Sequence, residues 1–247
     1  MNRQTRWLLI GVALGTSLAG VLPASAQTAA ASDDPLFSTF SLVAYDPDAQ
    51  EWGVVVTSKV PSLRNIVPWA RAGVGAVATQ ATTNRSFGPD GLAWLAKGKS
   101  PEEIGKIFQE ADTRIDGRQF GIVDAKGNSF AFTGKKCGEW AGHKTGKNYA
   151  CQGNILVGEA VVNDTAKTFE EAKGPLALRL MAALEAGQKA GGDKRMNKIQ
   201  SSAMIIVHDN TAGKGDAADY VVDLKVDKSE SPVEDLRKLL TENYKKK

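Results

Sequence analysis

The stretch SDDPLFSTFSLVAYDPDAQEWGVVVTSK, residues 32–59, contains two strand-like segments joined by a turn. Residues 40–46 and 52–58 are rich in the β-branched and aromatic residues that strands favour, and DPDAQ (46–50) has the Asp and Pro residues of a turn. The stretch therefore predicts a β-hairpin. Thr39 stands directly before the first segment. It either opens a strand, as β-branched residues commonly do, or carries a hydroxyl group that acts as a nucleophile.

The first 26 residues have the order of a secretory signal peptide. Arg3 and Arg6 precede the apolar run WLLIGVALGTSLAGVL, and ASA (24–26) supplies the small residues of a cleavage site. A membrane anchor is the alternative, but the apolar run is short for a span. We therefore expect a bacterial protein of the periplasm or the extracellular space, with no stable membrane insertion after signal cleavage.

Cleavage after Ala26 would leave 221 of the 247 residues, enough for one sizeable core. Residues 27–38 are predicted to form a loose leader, and residues 39–247 a single domain. Removal of Arg3 and Arg6 lowers the formal charge from +3 to +1. A chain this close to neutral gives no reason to expect nucleic acid as a partner.

Further along the chain, strands and helices are grouped. SPEEIGKIFQEA (100–111) is the clearest helix, because Ser100 and Glu103 form a capping box. RQFGIVDAKGNSFAFTG (118–134) predicts a second hairpin, and later segments predict a long helix, two strands and a C-terminal helix. Strands in hairpins with helices in the middle and at the end predict an α+β fold, with antiparallel sheets covered by helices.

The only cysteines, Cys137 and Cys151, both follow the signal segment. In an oxidising compartment such a pair is expected to form a disulfide bond. Zinc is the alternative, because His143 lies between the two cysteines. The C-x5-H-x7-C spacing matches no compact zinc pattern, so the sequence favours the disulfide and predicts no metal site.

Several motifs occur in an order that resembles a known family. They are FSLVAYDPDAQEWGVVVTSKV, VPWARAGVGAVATQA, FTGKKCGEWAGHKTGKNYACQGN and AGGDKR. Together they resemble the domain of unknown function 1028 (DUF1028) family over nearly the whole chain that follows the leader. That family is grouped with the N-terminal nucleophile hydrolases. The resemblance implies a four-layer αββα sandwich of two antiparallel sheets and the cleavage of an amide bond.

In such hydrolases the first residue of the mature chain is Thr, Ser or Cys, and its own α-amine takes the proton. A free α-amine has a pKa of about 7.7–8.0 and is a usable base at neutral pH. The resemblance makes Thr39 the candidate nucleophile, provided that a second cut falls between Ser38 and Thr39. Lys59, at the end of the return strand, is expected to assist by its charge, although it is equally a surface lysine at a strand end.

Other candidate site residues follow from the same motifs. Expected oxyanion donors are Gln80, Asn84 and the backbone N–H groups around Thr79. The alternative is that the Thr and Asn residues of this segment simply form a turn. The GEWAGHKTGKNYACQGN segment, held by the disulfide, is predicted to form a rigid loop that recognises a ligand. The alternative is a disulfide-bonded surface loop with no binding role. The side chains expected to bind in that loop are Trp140, His143, Tyr149, Gln152 and Asn154.

Asp193 and Arg195 are expected to form an ion pair or to bind a ligand carboxylate. The segment around them departs from the family pattern, because Met196 stands where a glycine is expected and extra residues precede Gln200. His208 has no motif support and is expected to be structural.

Two hypotheses follow. The first is a secreted amidohydrolase or peptidase that acts on a small amide or peptide without a cofactor or metal. The second is a catalytically silent domain of the same fold that binds a small ligand or a cell-envelope partner. Homo-oligomer formation is compatible with both.

Overall fold

The computed structural model describes residues 38–193, 200–209 and 220–245. The strands of these residues are β1 (Thr39–Asp46), β2 (Glu51–Ser58), β3 (Pro68–Arg71), β4 (Gly75–Ala81), β5 (Arg118–Asp124), β6 (Ser129–Thr133), β7 (Ala141–Gly146), β8 (Tyr149–Asn154), β9 (Gln200–His208) and β10 (Tyr220–Ser229). The α-helices are α1 (Phe87–Ala96), α2 (Pro101–Ala111), α3 (Ala160–Glu171), α4 (Leu176–Lys189) and α5 (Pro232–Lys245). No helix within the described ranges is both long and apolar enough to cross a membrane.

The hairpin predicted from residues 40–58 forms the centre of the larger sheet. Asp46 accepts hydrogen bonds from the backbone of Asp48 and Ala49, which closes the turn. This turn sets the register of β1 and β2, so that Thr39 pairs with Ser58. The larger sheet has the order β10-β9-β2-β1-β8-β7, and the smaller sheet has the order β3-β4-β5-β6. All neighbouring strands of both sheets are antiparallel.

Three apolar cores separate four layers of secondary structure. One core lies between the larger sheet and helices α3, α4 and α5 and includes Phe40 and Leu180. A second lies between the two sheets and includes Val43 and Ala78. The third lies between the smaller sheet and helices α1 and α2 and includes Phe108. The protein therefore has the α+β fold that the sequence predicted, in the form of the four-layer αββα sandwich of two antiparallel sheets that the family resemblance implied.

The helices on the smaller sheet differ in how well the sequence predicts them. Helix α2 has the predicted capping box, in which Ser100 and Glu103 exchange hydrogen bonds. Helix α1 was not predicted, because Gly88 and Gly91 lower its helix propensity. Tertiary packing explains the first of these glycines: a Cβ atom at Gly88 would lie 2.3 Å from the Trp69 ring.

The predicted recognition loop is not a loop. Residues 141–154 form the β7–β8 hairpin, which completes one side of the larger sheet. Tyr149, Gln152 and Asn154 are at most 1 % exposed. The polar residues and glycines suggested a surface loop, but the buried polar groups lie in a sheet interior.

The predicted disulfide bond is also wrong, because Cys137 and Cys151 are both free and buried. Cys151 lies on the helix-facing side of β8, with its sulfur 3.8 Å from the Val162 carbonyl oxygen of α3. The sulfur of Cys137 lies 3.2 Å from the Arg118 carbonyl oxygen of the smaller sheet. The two sulfurs therefore point into different layers. Burial raises the pKa of Cys137 to about 11 and also raises that of Cys151.

Candidate functional site

Four polar residues lie side by side at one end of the larger sheet. Thr39 of β1 pairs with Ser58 of β2 on one side and with Asn154 of β8 on the other. Ser58 in turn pairs with Ser201 of β9. All four residues are buried. Because side chains alternate along a strand and Val43 lies in the core between the sheets, Thr39 and the row face that same inter-sheet space.

The hydroxyl groups of Thr39 and Ser58 form a chain that ends on the carbonyl oxygen of Ser38. Ser58 Oγ donates to Ser38 O at 2.7 Å, and Thr39 Oγ1 lies 2.9 Å from Ser58 Oγ. Since the single hydroxyl hydrogen of Ser58 is used on Ser38, Thr39 is the donor to Ser58. The backbone N–H of Lys59 donates to the same carbonyl oxygen at 3.2 Å. The carbonyl group that precedes Thr39 therefore has two donors.

The side chain of Ser38 is held by the end of β8. Its hydroxyl oxygen lies 3.1 Å from the carbonyl oxygen of Asn154 and 3.1 Å from that of Ile155, so one hydrogen is shared between two acceptors. Ser38 is completely buried. Ile155 has a φ of 53°, in the left-handed region that a β-branched residue rarely adopts. Backbone strain of this kind is concentrated at functional sites.

Beside this end of the sheet, three glutamines and a serine connect the two sheets. We call Ser41, Gln80, Gln119 and Gln152 the glutamine network. Ser41 Oγ donates to Gln80 Oε1 at 2.5 Å and accepts from Gln152 Nε2 at 2.6 Å. Gln80 Nε2 donates to Gln119 Oε1 at 2.8 Å and to the carbonyl oxygen of Thr39 at 3.1 Å. The glutamine network thus fixes the Thr39 backbone against the smaller sheet.

The glutamine network continues to the edge of the sandwich. Gln119 Nε2 donates to Thr133 Oγ1 at 2.9 Å, and Thr133 Oγ1 lies 2.8 Å from His143 Nδ1. The Thr133 hydroxyl group has one hydrogen and two acceptor sites, so it accepts from Gln119 and can still either donate to His143 Nδ1 or accept from it. Burial of part of the ring lowers the pKa of His143, which favours the neutral imidazole.

Comparisons with known proteins agree with the sequence motifs. The model of the family of unknown function DUF1028 matches residues 39–236. The chain belongs to this family. It is similar to the crystal structure of protein SPO2555 from Silicibacter pomeroyi, which is assigned to the same family. The two chains are 26 % identical, with a TM-score of 0.73 over 83 % of this chain and 88 % of that one. None of the curated proteins in the comparison matches the chain.

Of the oxyanion donors predicted in this DUF1028 chain, only Gln80 contacts Thr39 in the described structure. The backbone N–H of Thr79 donates to Val67 O at 3.2 Å, and its hydroxyl group donates to Asn84 O at 3.1 Å. The amide of Asn84 donates to Asp112 at 3.0 Å, on the helix-covered side of the smaller sheet. Thr79 and Asn84 therefore support the loop that follows β4 rather than the row at Thr39.

Asp112 holds that loop through a buried ion pair. Its carboxylate accepts from Arg118 Nε at 2.9 Å, and Arg118 also donates to the carbonyl oxygen of Thr82. Burial acts to raise the pKa of Asp112, but hydrogen bonds from Asn84, Arg114 and Arg118 outweigh it and lower the pKa. The loop is thus anchored beside the end of β4, where Ala81 has a φ of 67°.

The remaining predicted residues that the structure describes lie apart from the row at Thr39. Trp140 packs against the core beneath α3, α4 and α5, and the buried Tyr149 donates to Glu170 of α3 at 2.5 Å. Burial raises the pKa of Tyr149, as does the neighbouring Glu170. Asp193 forms an isolated bridge with Leu156, and Arg195 lies outside the described residues. His208 pairs with Glu51, at the opposite end of the sheet from Thr39.

Sequence reasoning missed Ser38, Ser58, Ser41, Gln119 and Thr133. The position of Ser58 was available, because a four-residue turn between β1 and β2 places it opposite Thr39. Ser41 and Gln119 are polar residues inside strands that are otherwise buried, which signals a buried hydrogen-bond partner. The link from Gln119 to Thr133 and His143 depends on how the two sheets pack, and no local pattern reports it.

No group of three or more His, Cys, Asp or Glu side chains that could hold a metal ion occurs within the described parts of the chain. The chemistry available at the row is that of hydroxyl groups, backbone N–H groups and side-chain amides. Such groups can activate a carbonyl group and stabilise an oxyanion.

Proposed function

We propose that the chain is the precursor of a secreted amide-bond hydrolase of the N-terminal nucleophile type, in which Thr39 becomes the first residue. One observation carries the proposal. The carbonyl group of Ser38 has two hydrogen-bond donors, and one of them, Ser58, also accepts from the Thr39 hydroxyl group. Nucleophile, proton path and oxyanion donors are therefore adjacent to the peptide bond that has to be cut.

The maturation step uses only these groups. Thr39 Oγ1 adds to the Ser38 carbonyl carbon while its proton passes through the Ser58 hydroxyl group to the Ser38 oxygen, which gives a neutral tetrahedral intermediate. The Lys59 N–H donates to that oxygen and stabilises the negative charge that develops on it before the proton arrives. The Ser38–Thr39 C–N bond then breaks, the proton moves to the Thr39 nitrogen, and an ester joins Ser38 to Thr39 Oγ1. Water hydrolyses the ester and leaves Thr39 with a free α-amine.

The same groups serve turnover of a substrate. The free α-amine of Thr39 takes the hydroxyl proton as Thr39 Oγ1 attacks the substrate carbonyl carbon, and then donates it to the leaving amine. Ser58 and the Lys59 N–H bind the developing oxyanion, and water releases the acyl group. The glutamine network holds the Thr39 carbonyl group in place, so the nucleophile keeps its orientation after the cut.

Burial of the site suits a precursor. Ser38 and Thr39 are 0 % and 2 % exposed, so an external substrate has no access to Thr39 until Ser38 leaves. The free cysteines are compatible with export, because buried thiols whose pKa is raised react slowly with oxidants. We therefore also propose removal of residues 1–26 at export and location in the periplasm or outside the cell.

The alternative is a silent binding domain, and burial of Thr39 is the observation that favours it. Its proposed binding loop is, however, the β7–β8 hairpin, whose Tyr149, Gln152 and Asn154 side chains are buried. The hydrolase proposal accounts for the arrangement around Ser38, whereas the binding proposal keeps only Trp140 and His143 as accessible residues of its predicted surface.

The N-terminus of the exported protein tests the proposal. The full-length chain is produced in a bacterial host, and the mass and first residues of the product are measured over time. We expect a species that begins at Thr39. Thr39→Ala should stop the chain at residue 27, whereas Thr39→Ser should still be cut.

Thr57→Val is the matched control, because it removes a buried hydroxyl group from the neighbouring position on the opposite face of β2. It should be processed like the wild type. A wild-type chain that keeps residue 27 as its first residue indefinitely would contradict the hydrolase proposal and favour the binding domain.

A further inference from the structure

The pocket that holds the Ser38 side chain indicates which acyl side chain a substrate should carry. This inference rests on the proposed function. In maturation, the acyl group attached to Thr39 Oγ1 is that of Ser38. In turnover, the acyl group of the substrate is attached to the same oxygen atom and uses the same oxyanion donors, Ser58 and the Lys59 N–H. The side chain next to the reacting carbonyl group therefore occupies the same place in both reactions.

That place is small and has a defined polarity. Ser38 is completely buried, so nothing larger than its CH₂OH group fits without displacing neighbouring atoms. Its polar contacts are with two acceptors, the carbonyl oxygens of Asn154 and Ile155, each at 3.1 Å. One of these acceptors belongs to Ile155, the residue with the left-handed φ of 53°. A pocket with two acceptors selects a hydrogen-bond donor.

We propose that the mature enzyme hydrolyses amides whose acyl residue is small and carries a hydroxyl donor, with seryl amides preferred. An alanyl residue fits the pocket but supplies no donor to the two carbonyl oxygens. A leucyl residue is too large. Discrimination follows from the transition state, where the acyl side chain is held most tightly.

A substrate panel tests the preference on the full-length protein after it has processed itself. The substrates are the p-nitroanilides of N-acetylated serine, alanine and leucine, which share one leaving group. We expect kcat/KM for the seryl substrate to exceed that for the alanyl substrate about tenfold, the effect of a hydrogen bond to a buried acceptor. The leucyl substrate should be slower than the alanyl substrate by about a hundredfold.

Maturation provides a second measurement in the same pocket. Ser38→Ala should slow the appearance of the Thr39 species about tenfold, and Ser38→Leu should slow it more. Thermal unfolding of each uncut variant separates loss of folding from loss of reactivity. A folded Ser38→Leu chain that processes at the wild-type rate contradicts the inference.

The outcomes distinguish the two proposals. If the Thr39 species forms but the leucyl substrate is cleaved as fast as the seryl substrate, the pocket inference fails and the hydrolase stands. If the Thr39 species forms and no member of the panel is cleaved, the proposed substrate class is wrong. If no Thr39 species forms, the proposed function fails first.

Discussion

Replacing Gln119 with leucine removes a side chain that touches both sheets. Gln119 accepts a hydrogen bond from Gln80 and donates to Thr133 and to the carbonyl oxygens of Gly142 and Gly153. Leucine has a similar size, so the change deletes hydrogen bonds without creating a large cavity. The loss in the free energy of unfolding then depends on the buried groups that lose their hydrogen bond to Gln119.

Two of those partners are deeply buried. The Gln80 amide keeps its bond to the Thr39 carbonyl oxygen, but its N–H to Gln119 and the Gly153 carbonyl oxygen lose a buried partner that water cannot replace, and each loss costs about 1–3 kcal/mol. Thr133 and Gly142 lie near the edge, where water can replace the lost bond. Burial of the leucine side chain offsets about 1–2 kcal/mol of the loss. We expect Gln119→Leu to lower the free energy of unfolding by about 3 kcal/mol.

Urea unfolding followed by tryptophan fluorescence measures this loss by linear extrapolation. Gln109→Leu on α2 is the matched control, because Gln109 makes one side-chain bond, to Gly105 O, at a partly exposed position. It should change stability by less than about 0.5 kcal/mol. A loss below about 1 kcal/mol for Gln119→Leu, equal to that of the control, would refute the energetic role of the glutamine network.

Three further predictions concern other residues. Gly121→Ala should destabilise the protein by about 1–3 kcal/mol in urea unfolding, because its Cβ atom would lie 2.1 Å from Gln152 Oε1. Since the pKa of His143 is lower in the folded state, the unfolded chain takes up the proton first. Stability should therefore fall as the pH drops below about 6.5, and urea midpoints of His143→Gln should show a smaller fall. Cys137 and Cys151 should resist alkylation in the native protein and both react after unfolding, with or without reductant, as measured by mass spectrometry.

The parts of the fold that the sequence predicted are those set by local rules. The Asp46 turn fixes the β1–β2 register, and the capping box at Ser100 starts α2. Both depend on residues within a few positions of one another, so the signal is present in the chain itself. Thr39 could be placed at a strand start for the same reason.

The parts that the sequence missed are set by packing between distant segments. In β8, Gln152 and Asn154 suggested a loop because polar side chains rarely face a sheet interior. The Gln152 side-chain amide donates to Ser41 of β1, and Gln80 and Gln119 of the other sheet donate to the backbone carbonyl oxygens of Gln152 and Gly153. The cysteine spacing had the same weakness, because it gave no information about the layer into which Cys137 or Cys151 points.

The site itself lies between these two cases. Local pattern places Thr39 at a strand start and the family resemblance makes it the candidate nucleophile, but the groups that would make it reactive come from the ends of β2 and β8 and from the residue before it. A residue that only begins a strand needs none of these groups. Apolar side chains at the same buried positions would also avoid the free-energy cost of removing hydroxyl and amide groups from water. The protein instead keeps a connected set of hydroxyl groups that ends on one peptide carbonyl, that of Ser38. Hydroxyl groups connected in this way hold the nucleophile and the carbonyl group in one arrangement, and a fixed arrangement at one peptide bond is what self-cleavage requires.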